Sequence, residues 1–583
     1  MDSVKQLEDL VNHGRHLEAR ELAFQIKNDP DIDLLRVDQL LALSLSKSGS
    51  PESALAQLEL AYRRNPENPE TAGILGGIYK ELFKKHQDSK YAILSRDTYA
   101  KNFEITKSYY TGINAATMSA IAGRARQGRE IAAQVISLID EGTRDFWELA
   151  TLAEAYLLTK DRTLSADCYI KARQMAANDW GKIISVFNQL WLLNHYLPVS
   201  REIMRVFSPP TVVAFIGHMI DHPSRPTPRF PASIEQEVRE SIAGAIRTMN
   251  GGIGYCSLAC GSDILFVEAM EQAGAEVHVF IPFSKSDFIN ASVGFAGPQW
   301  IERFERLCAK FPTTFITEDK YLGYDDLFAF QCRIIFGSAI LRSLAYHQEP
   351  MLLTVHSETD LKRREGGTRD TLRLWPLNDR HFNVNPDKFV SSAIVPPPAN
   401  PVSVPSLQSD PSKLDGNKLE RPVLYLVQAD LSLTPGMEKE KIYKVINAKL
   451  KEEVITYKAF DMGADSIFMA FDSETRALEF VQDILQAAQS SSQLENNVKI
   501  GMHAGPAYLE HLPSGENIVQ EGENISILRR ISRFAPKGTI CVSDHFAALL
   551  ALNTKKFKLD YSGVLRSDDE AETRGIYSVT VKY

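Results

Sequence analysis

Cysteine is scarce, with six in 583 residues and none in a paired metal-type spacing. That excludes a disulfide framework and a cysteine-based zinc ribbon, and points to free thiols in a reducing compartment. Cys256 and Cys260 stand close together, but in a Gly-rich apolar stretch where core filling is the expected role. Long apolar runs are missing too. No stretch approaches the roughly 18 residues needed to span a bilayer, so no membrane association is expected. The N-terminus, MDSVKQLEDLVNHGRHLEAR, is polar and helical rather than a leader, and a cytoplasmic location is expected. Nor is there an excess of positive charge: 65 Lys and Arg stand against 74 Asp and Glu, and the net −9 is spread along the chain. Nucleic acid is therefore not an expected partner.

What is present is an ordinary globular composition, 44% hydrophobic and 24% charged, in a chain too long for one core. About three to four domains are expected. Residues 1–205 read as helix after helix, with apolar positions at three- and four-residue spacing and turn signals at Lys47–Pro51 and Asn65–Pro69. Leu41, Leu45, Ala54, Leu58, Ala61 and Pro66 form one repeat. Leu75 stands 34 positions after Leu41, in a second repeat with Ala72, Gly76 and Tyr79. Leu149, Leu152, Ala153, Tyr156, Tyr169 and Ala172 form a third. The pattern resembles tetratricopeptide repeats, which stack into a solenoid; a plain helical bundle is the alternative. The segment YYTGINAAT, Tyr109–Thr117, resembles the TRAF-binding helical region of the apoptosis-signal-regulating kinase kinases and of many bacterial signalling proteins, over roughly residues 35–200. That resemblance implies a regulatory array with a protein partner. No kinase motif accompanies it.

Residues 208–380 alternate strand and helix. Val212–Ile216 reads as a strand, followed by Gly217, His218 and a Pro-rich loop to Pro231; a helix to Met249 and a strand near Ile253 come next. ACGSDILFVEAMEQAGAEVHVFIPF then gives a turn, a helix and a strand, so a parallel βαβ sheet is expected. Gly261 and Ser262 at a helix start, and Gly366, Gly367 and Thr368 in EGGTRD, offer backbone N–H groups of the kind that hold phosphate. Glycines in such turns more often serve tight geometry. The arrangement resembles the Rossmann-like nucleotide-sensing family related to lysine-decarboxylase-like and DNA-processing proteins. By that resemblance these five residues and Gly217 line a pocket for a nucleotide-derived ligand, with His218 and Asp263 as further pocket candidates. Residues 385–419, rich in Pro and Ser, read as an extended linker.

Residues 421–583 read βααβ, a hairpin-like pair, then α and β again. VLYLVQADLSL is a buried strand and GADSIFMAF a turn and strand, while VKIGMHAGPAYLEHL reads as a strand pair turned at His503–Pro506. With RRISRFAPKGTICVSDHF, these segments resemble the class III nucleotide cyclase catalytic domain. The fold class expected overall is an all-α solenoid, then an α/β Rossmann-like domain, then an α+β ferredoxin-like cyclase domain.

The cyclase resemblance carries specific implications. Its two metal-binding aspartates fall on Asp430 and Asp465, with Leu431 lending a carbonyl, and two Mg2+ or Mn2+ ions would hold ATP or GTP. Its transition-state arginine falls on Arg530, suited to developing phosphoryl charge. The site is built across a head-to-tail homodimer. Departures are as plain. The transition-state asparagine is Ser526, the base-reading positions are Asp461 and Val519, and SDDEAETRG lacks the phosphate-binding lysine. Two readings follow: a cyclase regulated by the preceding regions, or a degenerate cyclase homology domain that binds nucleotide or dimerises within a signalling scaffold.

Overall fold

The computed structural model describes residues 3–581 apart from 140–144, 178, 223–224, 226, 322–325, 360–367, 391–418, 433–435, 452–456, 490–497, 513–516, 554 and 567–572. It divides into two compact units, Met1–Pro209 with Tyr561–Arg566, and Pro210–Asp560 with Ser567–Tyr583.

The first unit is a run of helices, each packed against the next: α1 (Ser3–Asn12), α2 (His16–Ile26), α3 (Leu34–Lys47), α4 (Pro51–Arg64), α5 (Pro69–His86) and α6 (Ser89–Thr106). It continues through α7 (Tyr109–Ile121), α8 (Ala125–Leu138), α9 (Phe146–Thr159), α10 (Arg162–Ala176), α11 (Trp180–Asn194) and α12 (Arg201–Val206). Helix starts are set locally. Pro51 and Pro69 open α4 and α5, where a missing N–H costs nothing. The Asp33, Asn68, Asp161 and Asp179 side chains cap free N–H groups, and Asp145 with Glu148 forms a reciprocal capping box. Small residues set the helix spacing: a Cβ at Gly76 would lie 2.7 Å from the buried Tyr99 ring. Tyr109–Thr117 opens α7, with Thr111–Ile113 and Ala115–Thr117 buried, so much of this segment is core.

The second unit holds two larger sheets. The first is wholly parallel, in the order β4-β3-β2-β1-β5-β6, from β1 (Thr211–Gly217), β2 (Gly251–Cys256), β3 (Glu276–Ile281), β4 (Thr313–Phe315), β5 (Met351–Val355) and β6 (His381–Val384). Its central strands β1 and β5 are mostly buried apolar runs, as a sheet covered on both faces requires, while the edge strands β4 and β6 are more open. The connecting helices are α13 (Glu235–Met249), α14 (Ser262–Gln272), α15 (Lys285–Ser292), α16 (Pro298–Lys310), α17 (Asp326–Ala345) and α18 (Thr368–Arg373). The strand order reverses between β1 and β5. A short helix, α19 (Asp387–Val390), follows β6, and the rest of the expected linker, 391–418, lies outside the described residues.

The second sheet runs β15-β16-β14-β11-β8-β10-β9. Its strands are β8 (Val423–Asp430), β9 (Ala459–Met462), β10 (Ser466–Phe471), β11 (Lys499–Pro506), β14 (Ile540–Ser543), β15 (Phe557–Arg566) and β16 (Thr573–Val581). β7 (Leu419–Glu420), β12 (Leu509–His511) and β13 (Asn517–Val519) form a small third sheet. Helix α20 (Gly436–Lys451) packs on α21 (Glu474–Gln489), and α21, α22 (Glu523–Phe534) and α23 (Asp544–Ala551) pack on the larger sheet. Two expectations fail here. Among the described residues one helix, not two, separates β8 from β9. The turn expected at His503–Pro506 is absent, because β11 runs straight through it, paired with β8 from Lys499 to Pro506. Glycines permit that run: a Cβ at Gly501 would lie 2.5 Å from the Ser532 nitrogen, and one at Gly505 2.6 Å from Asn524 Oδ1.

Helix α17 is apolar around most of its circumference and packs both on β1, β2 and β3 of the parallel sheet and on α23 of the other. Among the described residues it alone is long and apolar enough to cross a membrane. Here those apolar faces are spent between the two sheets.

Candidate functional site

Strand register brings two sequence candidates together. β8 ends at Asp430, which pairs with Ser466 at the start of β10, and the Leu431 N–H donates to the Asp465 carbonyl (2.7 Å). Asp430 and Asp465 thus sit at the same end of adjacent antiparallel strands. The Asp430 carboxylate accepts from the Ser432 N–H (2.8 Å), which fixes it locally. The Asp465 side chain is 58% exposed and forms an ion pair with Lys439 of α20. One helical turn on, the Tyr443 hydroxyl donates to the Gly463 and Ala464 carbonyls (2.8 and 3.0 Å) and pins the β9–β10 turn. Lys439 and Tyr443 lie four residues apart, on one helix face. Nothing in the sequence marked them, because charged and aromatic residues at that spacing are ordinary on a helix.

Two carboxylates and the Leu431 carbonyl are oxygen donors of the kind a hard divalent cation takes, with water or phosphate completing the shell. The residues present fit such an ion. Among the described residues no group of three or more His, Cys, Asp or Glu gathers for a metal, so a cation here would depend on ligand oxygens.

The other cyclase-derived candidates sit on α22, β9 and β13. Helix α22 packs across β11 and β8. Its C-terminal end lies at the Asp430 end of the sheet: Lys499, the register partner of Asp430, donates through Nζ to the Arg533 carbonyl (2.9 Å). Arg530 is half-buried, with its guanidinium 5.8 Å from the centre of the Phe534 ring. Ser526 is half-buried on the same helix. Asp461 is exposed on β9, opposite Phe468. Val519 packs into an apolar cluster with Leu424, Leu426, Ala459, Ala470 and Leu528. In SDDEAETRG, residues 567–572 lie outside the description; Arg574 is buried against His545 (3.1 Å).

Sequence reasoning missed the buried network behind α22. His503 of β11 has no exposed surface and lies 2.7 Å from both Asn524 Oδ1 and Ser543 Oγ. The Asn524 amide also donates to the Pro506 carbonyl (2.7 Å). Burial first, then the neighbouring His545, pushes the His503 imidazole down to about 3. Asn524, two residues before Ser526 on this helix, serves as a strut.

In the parallel sheet, Gly217, His218, Gly261 and Ser262 converge. The Ser262 N–H and hydroxyl both donate to the His218 carbonyl (3.1 and 2.8 Å). The His218 N–H donates to Val355 at the end of β5, and its Nε2 accepts from the Ser357 N–H (3.1 Å). The glycines are required by contact: a Cβ at Gly217 would lie 2.2 Å from Ser262 Oγ, and one at Gly261 (φ +94°) 2.5 Å from the Ile220 nitrogen. This cluster stands at the carboxyl ends of β1 and β5, where the strand order reverses. Asp263 is buried beside it. It accepts from the Ala259 N–H (3.2 Å), and burial pushes its carboxyl up to about 7. Gly366 and Gly367 lie outside the described residues, and Thr368 begins α18. A second feature unseen in the sequence is the Asp221 carboxylate, which accepts from the Arg229 and Phe230 N–H groups (2.7 and 2.8 Å) and ties the Pro-rich loop down.

Helix α17 links these two regions. Gln331 donates to Ser257 Oγ (2.9 Å) and to the Phe280 carbonyl, while Arg333 donates to the Tyr425 hydroxyl (2.7 Å) and pairs with Glu474. Gly337 crosses α23 so closely that a Cβ there would lie 1.9 Å from the Ala548 oxygen.

Residues 15–119 match the family described as tetratricopeptide repeats-sensor. No curated protein matches the chain. Similar solved structures include the adenylyl cyclase CyaB from P. aeruginosa, 12% identical, covering 28% of this chain and 97% of its own, with a TM-score of 0.24. The guanylyl cyclase domain of the RhoGC fusion protein from the aquatic fungus Blastocladiella emersonii is 17% identical, covering 28% and 99%, with a TM-score of 0.23. A thermophilic TPR protein of Thermus thermophilus is 19% identical, covering 32% and 97%, with a TM-score of 0.27. The chain therefore begins with tetratricopeptide-like helical repeats and continues into an α/β region with sheets, and its likeness to cyclase domains is weak and partial.

Proposed function

We propose that this chain is a signalling protein whose final α/β region is a class III nucleotide cyclase domain of ferredoxin-like type, acting on ATP or GTP to give a cyclic nucleotide and pyrophosphate. The observation that carries this reading is the register of β8 and β10, which sets Asp430 and Asp465 at one end of adjacent strands. In the proposal the two carboxylates and the Leu431 carbonyl hold Mg2+ or Mn2+, whose role when bound is to offset triphosphate charge and activate the ribose hydroxyl. Arg530 supplies a guanidinium to phosphoryl oxygens across a homodimer. Ser526 offers a hydroxyl on the same helix, and Asp461 and Val519 flank the base. The repeats bind a protein partner in the manner of a TRAF-binding array. The parallel sheet acts as a Rossmann-like nucleotide sensor at its β1/β5 reversal, the place where open α/β sheets take ligands. A cytoplasmic site of action fits the free cysteines.

A second reading, a degenerate domain that binds nucleotide without turnover, is favoured by Val519 in the apolar cluster and by Lys439 on Asp465. Purified full chain with Mn2+ or Mg2+ and ATP or GTP separates the two. Cyclic product that disappears in Asp430→Ala supports the first. Metal-dependent nucleotide binding with no product supports the second.

A further inference from the structure

The Asp430–Asp465 pair already has a cation beside it. Lys439 Nζ lies on Asp465 Oδ1, and the lysine side chain is 19% exposed while the aspartate is 58% exposed. The helix face that carries Lys439 is anchored independently by Tyr443, whose hydroxyl donates to two carbonyls of the β9–β10 turn. The ammonium is therefore delivered to the carboxylate by a built contact, not by a wandering surface side chain. An ammonium and a divalent cation cannot share one carboxylate without repulsion, since like charges at contact distance oppose each other even in a wet site.

We infer that Lys439 is the resident countercharge of the Asp430–Asp465 pair, and that a divalent cation binds there only in exchange for it. The inference rests on the metal reading of the two aspartates. Lys439 acts through Asp465 and is a positioning residue. It offsets one of the two carboxylate charges without metal and sets the concentration at which metal enters. The exchange also makes metal entry sensitive to any shift of the N-terminal turn of α20.

The test is Mn2+ titration of the full chain without nucleotide, followed by electron paramagnetic resonance. Lys439→Met keeps the aliphatic stem and removes the charge; Lys439→Arg keeps the charge. Removing the ion-pair partner and its repulsion should tighten Mn2+ binding by roughly two- to fivefold, with Lys439→Arg close to the parent and all three proteins melting together. Asp465→Asn should remove the binding in both the parent and Lys439→Met. Unchanged Mn2+ affinity in Lys439→Met, with loss in Asp465→Asn, overturns the countercharge role and leaves the metal site standing. Mn2+ binding that ignores Asp465→Asn and Asp430→Asn in every background removes the metal site and this inference with it.

Discussion

The two large sheets of the second unit hold their candidate residues in opposite ways. At the β1/β5 reversal of the parallel sheet, glycine backbone is closely packed: Gly217 lies against the Ser262 side chain, and Gly261 against the Ile220 nitrogen. At the β8/β10 end of the mixed sheet, charged side chains stand on a rim, with Asp465 more than half exposed and Lys439 beside it. The first arrangement is part of the core, so changing it should cost stability before it costs binding. The second is supported by strand register and has little core to lose, so changing it should alter metal or nucleotide binding with the fold intact. Conformational freedom is therefore expected at the rim and not at the reversal.

The sharpest way to break this contrast is at close backbone approaches. Gly337→Ala puts a methyl group into the Ala548 carbonyl, and Gly261→Ala adds a positive φ to a similar clash. Each should lower the stability of the full chain by about 3 kcal/mol or more, read by denaturant unfolding. A parent-like midpoint for Gly261→Ala would show that the reversal is as loose as the rim. Next is the buried strut. Asn524→Ala leaves His503 without one of its two polar contacts and should cost about 1–3 kcal/mol by the same measurement.

Buried titrating groups give a third, smaller effect, of opposite sign in the two sheets. Burial raises Asp263 to about 7 in the fold. Its contribution is therefore full below pH 4 and is lost as the pH rises towards 7, because the unfolded chain gives up that proton first. His503 is lowered to about 3, so its contribution is present above pH 6.5 and is lost as the pH falls towards 3. Asp263→Asn should flatten the loss on the alkaline side and gain about 1–2 kcal/mol at pH 8 relative to the parent. A parallel pH–stability curve for the variant would contradict this. The smallest effect on stability belongs to the rim: Asp430→Ala should shift unfolding by no more than about 0.5 kcal/mol.

The same contrast decides what could be read from the sequence. Asp430 was legible because it ends an eight-residue, mostly apolar and buried strand, VLYLVQAD, and Asp465 because it precedes another. The alternation of strand and helix over 208–380 was equally plain, because central parallel strands such as β1 and β5 are near-continuous apolar runs. The straight course of β11 was not. His503–Pro506 looks like a turn, and only the glycine faces pressed against Ser532 and Asn524 explain why it is strand. Lys439 was invisible for a different reason: its meaning comes from where α20 docks, and nothing local to a helix sequence records that. Gln331, Arg333 and Gly337 carry contacts to partners far along the chain, so α17 read alone is only an apolar helix.

The measurement closest to the central claim is nucleotide binding by the full chain with and without Mn2+, in the parent and in Asp430→Ala, using ATP and GTP in turn. The account predicts binding that requires the metal and is lost in Asp430→Ala while the variant melts with the parent. Binding of equal strength without metal, or undiminished in Asp430→Ala, would contradict it.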